Sequence, residues 1–152
     1  MSELEPPFRA DHVGSLLRTK ELKNARNKHF NEKSISADEL KQIEDKEIID
    51  NIKMQENAGL AAITDGEARR SFWHYDFMGS LSGLDLVERN EGVQFAGMKL
   101  RPIFPTITDT LDFPPDHPML SHYRFVAQNT KMTPKISIPG PSSCHFRTAL
   151  SD

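Results

Sequence analysis

Between Ser36 and Ala58 the apolar residues Leu40, Ile43, Ile48, Ile49, Ile52, Met54 and Ala58 recur at spacings that give a helix one broad apolar side. Ser36 stands where a hydroxyl caps the first turn, and Glu39 follows at the position from which a carboxylate reaches back to the cap N–H. Gly59 comes where a left-handed C-terminal cap is expected. The next run, Leu60 to Thr64 (LAAIT), is short and almost wholly apolar, which predicts a strand buried on both faces, ended by Asp65, Gly66 and Glu67. Upstream, Phe8 to Arg18 (FRADHVGSLLR) reads as strand, glycine loop and helix start, with Phe8 to Val13 as the strand. Thr19 to Phe30, free of Pro and Gly, predicts a short helix. Downstream, Glu88 to Phe113 reads as short extended pieces broken by Pro102 and Pro105, an irregular excursion such as a hairpin. Pro118 opens a helix through Thr130, and Pro134 to Pro139 (PKISIP) reads as a further buried strand centred on Lys135 to Ile138, with a loop at Gly140 to Ser143.

Helix, glycine turn, buried strand and polar loop is the half-repeat of an α/β protein with a parallel sheet, whose chemistry lies beyond the carboxyl ends of the strands. The segment DGEARRSFWHYDF occupies that position and gathers two acids, two arginines, a His, a Trp and a Tyr. About three core parallel strands are legible, whereas a closed barrel needs eight and usually ~250 residues. The expectation is therefore a single domain over residues 1–152, built either as a small open sheet or as the N-terminal portion of a (β/α)8 barrel. The final HFRTALSD offers no evident closing element.

Composition narrows the class. Hydrophobic residues at 37%, charged residues at 27% and a net charge of -3 describe a globular chain rather than a disordered or nucleic-acid-binding one. The opening MSELEPPFRADHVG lacks the basic and apolar regions of a signal peptide, and no stretch approaches the length of a membrane span. Cys144 is the single cysteine, which excludes an intramolecular disulfide and an all-Cys zinc site and fits a reducing compartment, so the cytoplasm is expected.

The segments RADHVGS, TDGEARRSFWHYDF and KISIPGPSSCHFR, in that order at three predicted strand ends, resemble the cobalamin-independent methionine synthase-like family. The resemblance implies a (β/α)8 barrel and a zinc-dependent S-methyltransferase that moves a methyl group from methyltetrahydropteroylglutamate to homocysteine. By the same resemblance, Val13, Gly14 and Ser15 stand where the family binds homocysteine, and Glu67 where a glutamate holds its amino group. The physics agrees. Gly14 lets a ligand approach the main chain, and a carboxylate makes a charge-assisted bond to an ammonium. A plain strand-to-helix turn and a solvated turn carboxylate are the alternatives.

Asp65 reads as structural, bonding turn amides, or as a neighbour of the site. Arg69 and Arg70 either pair with acids or carry a carboxylate. Trp73 and His74 line a donor pocket or simply pack, as aromatic clusters do. Lys99, His145 and Arg147 fall near the family's folate-facing positions by loose alignment. The family's zinc ligands, a His, a Glu and two Cys from late strands, are motifs this sequence lacks. No metal site is assigned to Cys144 and His145, and methyl transfer by the isolated polypeptide is not expected. Three readings follow: the methionine synthase type, a related transferase with another donor or thiol, and a non-catalytic remnant that covers open barrel edges with a homo-oligomer or complementing chain.

Overall fold

The computed structural model describes residues 12–88, 94–95, 98–99, 103–147 and 149–150. The chain forms two compact units, Met1–Arg69 with Ser121–Ser137, and Arg70–Leu120 with Ile138–Asp152.

The first unit is built around two helices and a pair of parallel strands. Helix α1 (Lys20–Asn27) begins at Thr19, whose side chain accepts from Leu22 N, and runs into a π-helical turn over Lys28–Glu32 that ends at left-handed Lys33. Helix α2 (Ala37–Asn57) carries the predicted capping box, Ser36 and Glu39 each bonding the other's backbone N–H. The Glu39 carboxylate accepts from Ser36 N and from Ser36 Oγ, both at 2.8 Å, and these two bonds lower its pKa. Gly59 has φ 78, the left-handed residue just past the helix. Strand β1 (Ala62–Ile63) follows, wholly buried.

The core of this unit comprises Leu22, Ala25, Leu40, Ile48, Ile52, Ile63, Ala68 and Val126. Met54, counted on the apolar side of α2, instead faces outward, because it lies two residues from Ile52 and so on nearly the opposite side of a 3.6-residue turn. Gln55, three residues from Ile52, takes the buried position and is 2% exposed.

The other strand of this pair is displaced from its expected place. The ladder forms at β6 (Thr133–Pro134), which runs parallel to β1 with Ala62 opposite Thr133 and Ile63 opposite Pro134, rather than at Lys135 to Ile138. Beyond Pro134, one further bond, Lys135 N to Ile63 O at 2.8 Å, continues the pairing. The short β1 offers no longer template, since Thr64 already bonds a side chain instead of a strand. His12 and Val13, the described end of the predicted Phe8 to Val13 strand, join no ladder; the rest of that segment lies outside the described residues.

In the second unit, helix α3 (Tyr75–Met78) follows a turn fixed by Asp76, which accepts from Ser71 N and Phe72 N. Strand β2 (Ser82–Glu88) pairs antiparallel with β5 (Ile103–Asp112). Between them lie the short β3 (Gln94–Phe95) and β4 (Met98–Lys99), paired with each other. The pairing continues through Pro105, while Pro102 lies outside the described residues. Pro105 is buried within β5 opposite Leu86, and the strand runs through it rather than breaking.

Helix α4 (Pro118–Asn129) matches its expected span. Just before it, His117 is buried against Phe113, accepts from Met119 N at Nδ1, and so presents its Nε2 hydrogen to Phe77 O at 3.0 Å. The loop expected at Gly140 to Ser143 is in fact the start of helix α5 (Pro141–Arg147), with Pro141 at the first helical position, where its missing N–H is harmless. Strand β7 (Ala149–Leu150) then joins β5 in parallel, a pairing that two residues of sequence did not announce.

Candidate functional site

Three backbone segments of the first unit converge beyond the carboxyl end of β1. Thr64 Oγ1 donates to Gly14 O at 3.1 Å and accepts from Gly66 N at 3.1 Å, tying the first segment to the turn after β1. Leu16 N donates to Gly66 O at 3.0 Å and closes the junction from the other side. Gly14 is buried with φ 148, a conformation that side chains rarely adopt. A Cβ placed on it would lie 3.5 Å from Ser137 Cβ, 3.7 Å from Thr64 Cγ2 and 4.0 Å from Glu67 Oε1. Gly14 thus leaves room for about a methyl group between Ser137, Thr64 and the Glu67 carboxylate.

The turn over Asp65 to Ala68 carries that carboxylate. Ala68 N bonds Asp65 O, and the two central residues, Gly66 at φ 66 and Glu67 at φ 56, are both left-handed, as in a primed turn. Gly66 has a second reason to be glycine, because a Cβ there would come within 2.9 Å of Asn51 Nδ2. Glu67 has no such licence. A left-handed L-residue costs ~1–2 kcal/mol, so the surroundings must hold it. Asp65 Oδ1 accepts from Glu67 N at 3.0 Å, while Arg18 donates from Nη2 to Glu67 O at 2.8 Å and from Nε to Ala68 O at 2.9 Å. Glu67 is 9% exposed, and Asp65 is 1% exposed, its Oδ2 without a hydrogen-bond partner among the described residues.

Helix α2 anchors this site with buried polar side chains. Gln55 accepts from Thr64 N and donates to Thr64 O, both at 2.9 Å, and its Oε1 also meets His12 Nε2 at 2.9 Å. Lys135 bonds His12 O from β6's side. Glu47 accepts from Thr19 N and Oγ1. Glu44 takes Arg26 Nη1 at 2.8 Å, and the same Arg26 nitrogen reaches Arg69 O. Burial pushes the Glu44 pKa up, against the opposing pull of Arg26 and Arg69. Arg69 also pairs with Asp45 and lies over the Phe125 ring at 4.9 Å, so of its two expected roles it takes the pairing with acids.

Of the expected ligand-binding residues, Gly14 and Glu67 are brought together. Val13 and Ser15 flank Gly14 and are exposed. Trp73 and His74 belong to the second unit, where the buried His74 ring lies tilted against Trp73 and Tyr75, with centroids 4.5 and 4.0 Å away. Lys99 lies in β4, and His145 and Arg147 lie in α5 rather than a loop; their side chains fall outside the described residues. Among the described residues no group of three His, Cys, Asp or Glu side chains is arranged to hold a metal ion, and no helix is long and apolar enough to cross a membrane. Sequence reasoning missed Arg18, Thr64, Gln55 and Ser137. Only Gln55 carried a readable signal, a polar residue on the face set by Ile48 and Ile52.

Residues 8–150 match the family described as cobalamin-independent synthase, catalytic domain. The chain belongs to this cobalamin-independent methionine synthase family. Two Bacillus subtilis (strain 168) relatives, the uncharacterized proteins YxjG and YxjH, are 41% identical over 148 residues and 43% identical over 141 residues. These alignments take in 96% and 92% of this chain but 38% and 37% of the relatives, so the chain spans under two fifths of their length. A Listeria monocytogenes structure, solved as a candidate vitamin-B12-independent methionine synthase, aligns at 37% identity and TM-score 0.78, covering 95% of this chain and 40% of the other. A B12-independent methionine synthase from Shewanella sp. W3-18-1, solved in complex with selenomethionine, matches in fold at 18% identity and TM-score 0.60, over 78% of this chain and 34% of that one. The chain is thus a portion of the family's TIM-type barrel. At family level the activity is methyl transfer, and the catalytic domain binds small-molecule substrates.

Proposed function

We propose that this chain holds the thiol amino acid in a methionine synthase-type S-methyltransferase, with homocysteine as acceptor and methyltetrahydropteroylglutamate as donor. The observation that carries the reading is the space over Gly14, walled by Thr64 and Ser137 and facing Glu67 Oε1. The ligand's ammonium would sit at the Glu67 carboxylate, a short charge-assisted bond made stronger by a site shielded from water. Its carboxylate would lie against the backbone of Val13 to Ser15, where the glycine allows close approach. These contacts orient the thiol rather than activate it.

In the family, zinc supplies the thiolate. The described residues offer no ligand set for it, and the single Cys144 cannot furnish two thiolates, so no step is routed through the metal here. The single cysteine also suits work in a reducing cytoplasm.

The test is calorimetric titration of the intact protein with homocysteine and methionine, alongside Glu67→Gln. Binding weakened at least tenfold by the substitution is expected. Equal affinity in the two proteins would sink the assignment, and preferential binding of a thiol lacking the amino group would favour a different acceptor.

A further inference from the structure

We infer that Arg18 is a positioning residue for ligand recognition: with Asp65 it clamps Glu67 in its left-handed conformation and so aims the carboxylate at the space over Gly14. The inference rests on the proposed role of Glu67 and adds the residues that make that role possible.

A left-handed glutamate persists only where its surroundings over-determine it. Here each end of the residue is held. Asp65 Oδ1 takes the N–H of Glu67, and the Arg18 guanidinium spans two successive carbonyls, Glu67 O at 2.8 Å and Ala68 O at 2.9 Å. Releasing either contact lets φ return to negative values and swings the side chain away from Gly14. The guanidinium fork matches two neighbouring acceptors at once; an ammonium is a point donor and cannot reproduce the pair. Arg18 also comes from the same connection that carries Gly14, and its neighbour Leu16 bonds Gly66 O. One short segment therefore supplies the open wall of the space and sets the direction of the carboxylate opposite.

The test measures dissociation constants in the full chain, below each variant's melting temperature, for homocysteine and for 4-sulfanylbutanoate, which lacks the amino group. Arg18→Lys is expected to weaken homocysteine about 5- to 30-fold, the range that left-handed strain implies. The amino-free analogue should bind as before, and in a Glu67→Gln background Arg18→Lys should add no further loss. Asp65→Ala should behave like Arg18→Lys, whereas Asp65→Asn, which keeps an oxygen for Glu67 N, should retain most of the affinity. A lower melting temperature with an unchanged homocysteine constant would assign Arg18 a purely structural role and overturn the inference. Equal weakening of both ligands would do the same. If wild type and Glu67→Gln bind homocysteine alike, the underlying reading of Glu67 falls and takes the clamp with it; if Glu67→Gln weakens binding and Arg18→Lys and Asp65→Ala do not, only the clamp falls.

Discussion

Replacing Glu67 by glycine and, separately, by alanine isolates the backbone strain at the site. Both changes remove the same carboxylate and keep the N–H and C=O that Asp65 and Arg18 hold, so the pair differs by one methyl group at φ 56. At an ordinary position alanine is the more stable choice by ~0.4–1 kcal/mol, because glycine loses more freedom on folding. At a left-handed position the methyl group costs ~1–2 kcal/mol. The difference leaves the glycine variant ahead by about 0.8 kcal/mol, within a range of about 0 to 1.6. Urea unfolding should show a midpoint for Glu67→Gly a few tenths of a molar above that of Glu67→Ala, with equal slopes. Neither variant should retain homocysteine binding. An alanine variant more stable than the glycine one by about 0.4–1 kcal/mol, as at an ordinary position, would mean that Glu67 is not strained, and the argument for a clamp would lose its premise.

Gln55→Leu should lower unfolding stability by about 2–4 kcal/mol, since it strands buried Thr64 N and O together; a loss under about 1 kcal/mol in urea titration would show that water replaces the amide. Gly14→Ala should destabilise the fold by about 1–2 kcal/mol through its positive φ and abolish amino-acid binding by filling the space, read by calorimetry. Glu44 predicts a pH effect of definite sign. Its folded pKa lies above the unfolded value, so its contribution is fully present below the unfolded pKa and is lost as pH rises through the folded one. Glu44→Gln should therefore gain on wild type as pH rises from the ordinary glutamate range towards neutrality in parallel urea titrations, and a difference that does not change with pH would contradict the burial cause.

Helices α2 and α4 were legible because each carried its own punctuation: Ser36 and Glu39 at one end of α2, Gly59 at the other, Pro118 ahead of α4. Strands were harder. A run such as LAAIT shows burial but not partner or register, and the β1 ladder stops at Ile63 because Gln55 takes the backbone of Thr64. The Pro141 helix was misread since proline marks both loops and helix starts, and only the following turn decides between them. At the site, Gly14 and Glu67 came from motif order alone. Their geometry did not, because nothing local distinguishes a left-handed glutamate from a right-handed one. Arg18 is equally silent in sequence, its role being set by carbonyls some fifty positions away.

Helix α2 carries its buried polar groups at Glu44, Glu47 and Gln55, three and then eight positions apart, a span of just over three turns. They grip different parts of the first unit: Arg26, Thr19 and Thr64. An oily stripe alone would tolerate sliding, because one aliphatic contact replaces another at little loss. Discrete polar hooks do not. One residue inserted between Glu47 and Gln55 turns the amide by about 100° and carries it away from Thr64. Length variation among relatives should therefore be barred from this stretch and collect instead around Lys33 to Ile35, before the cap, where the chain can lengthen without re-phasing the helix.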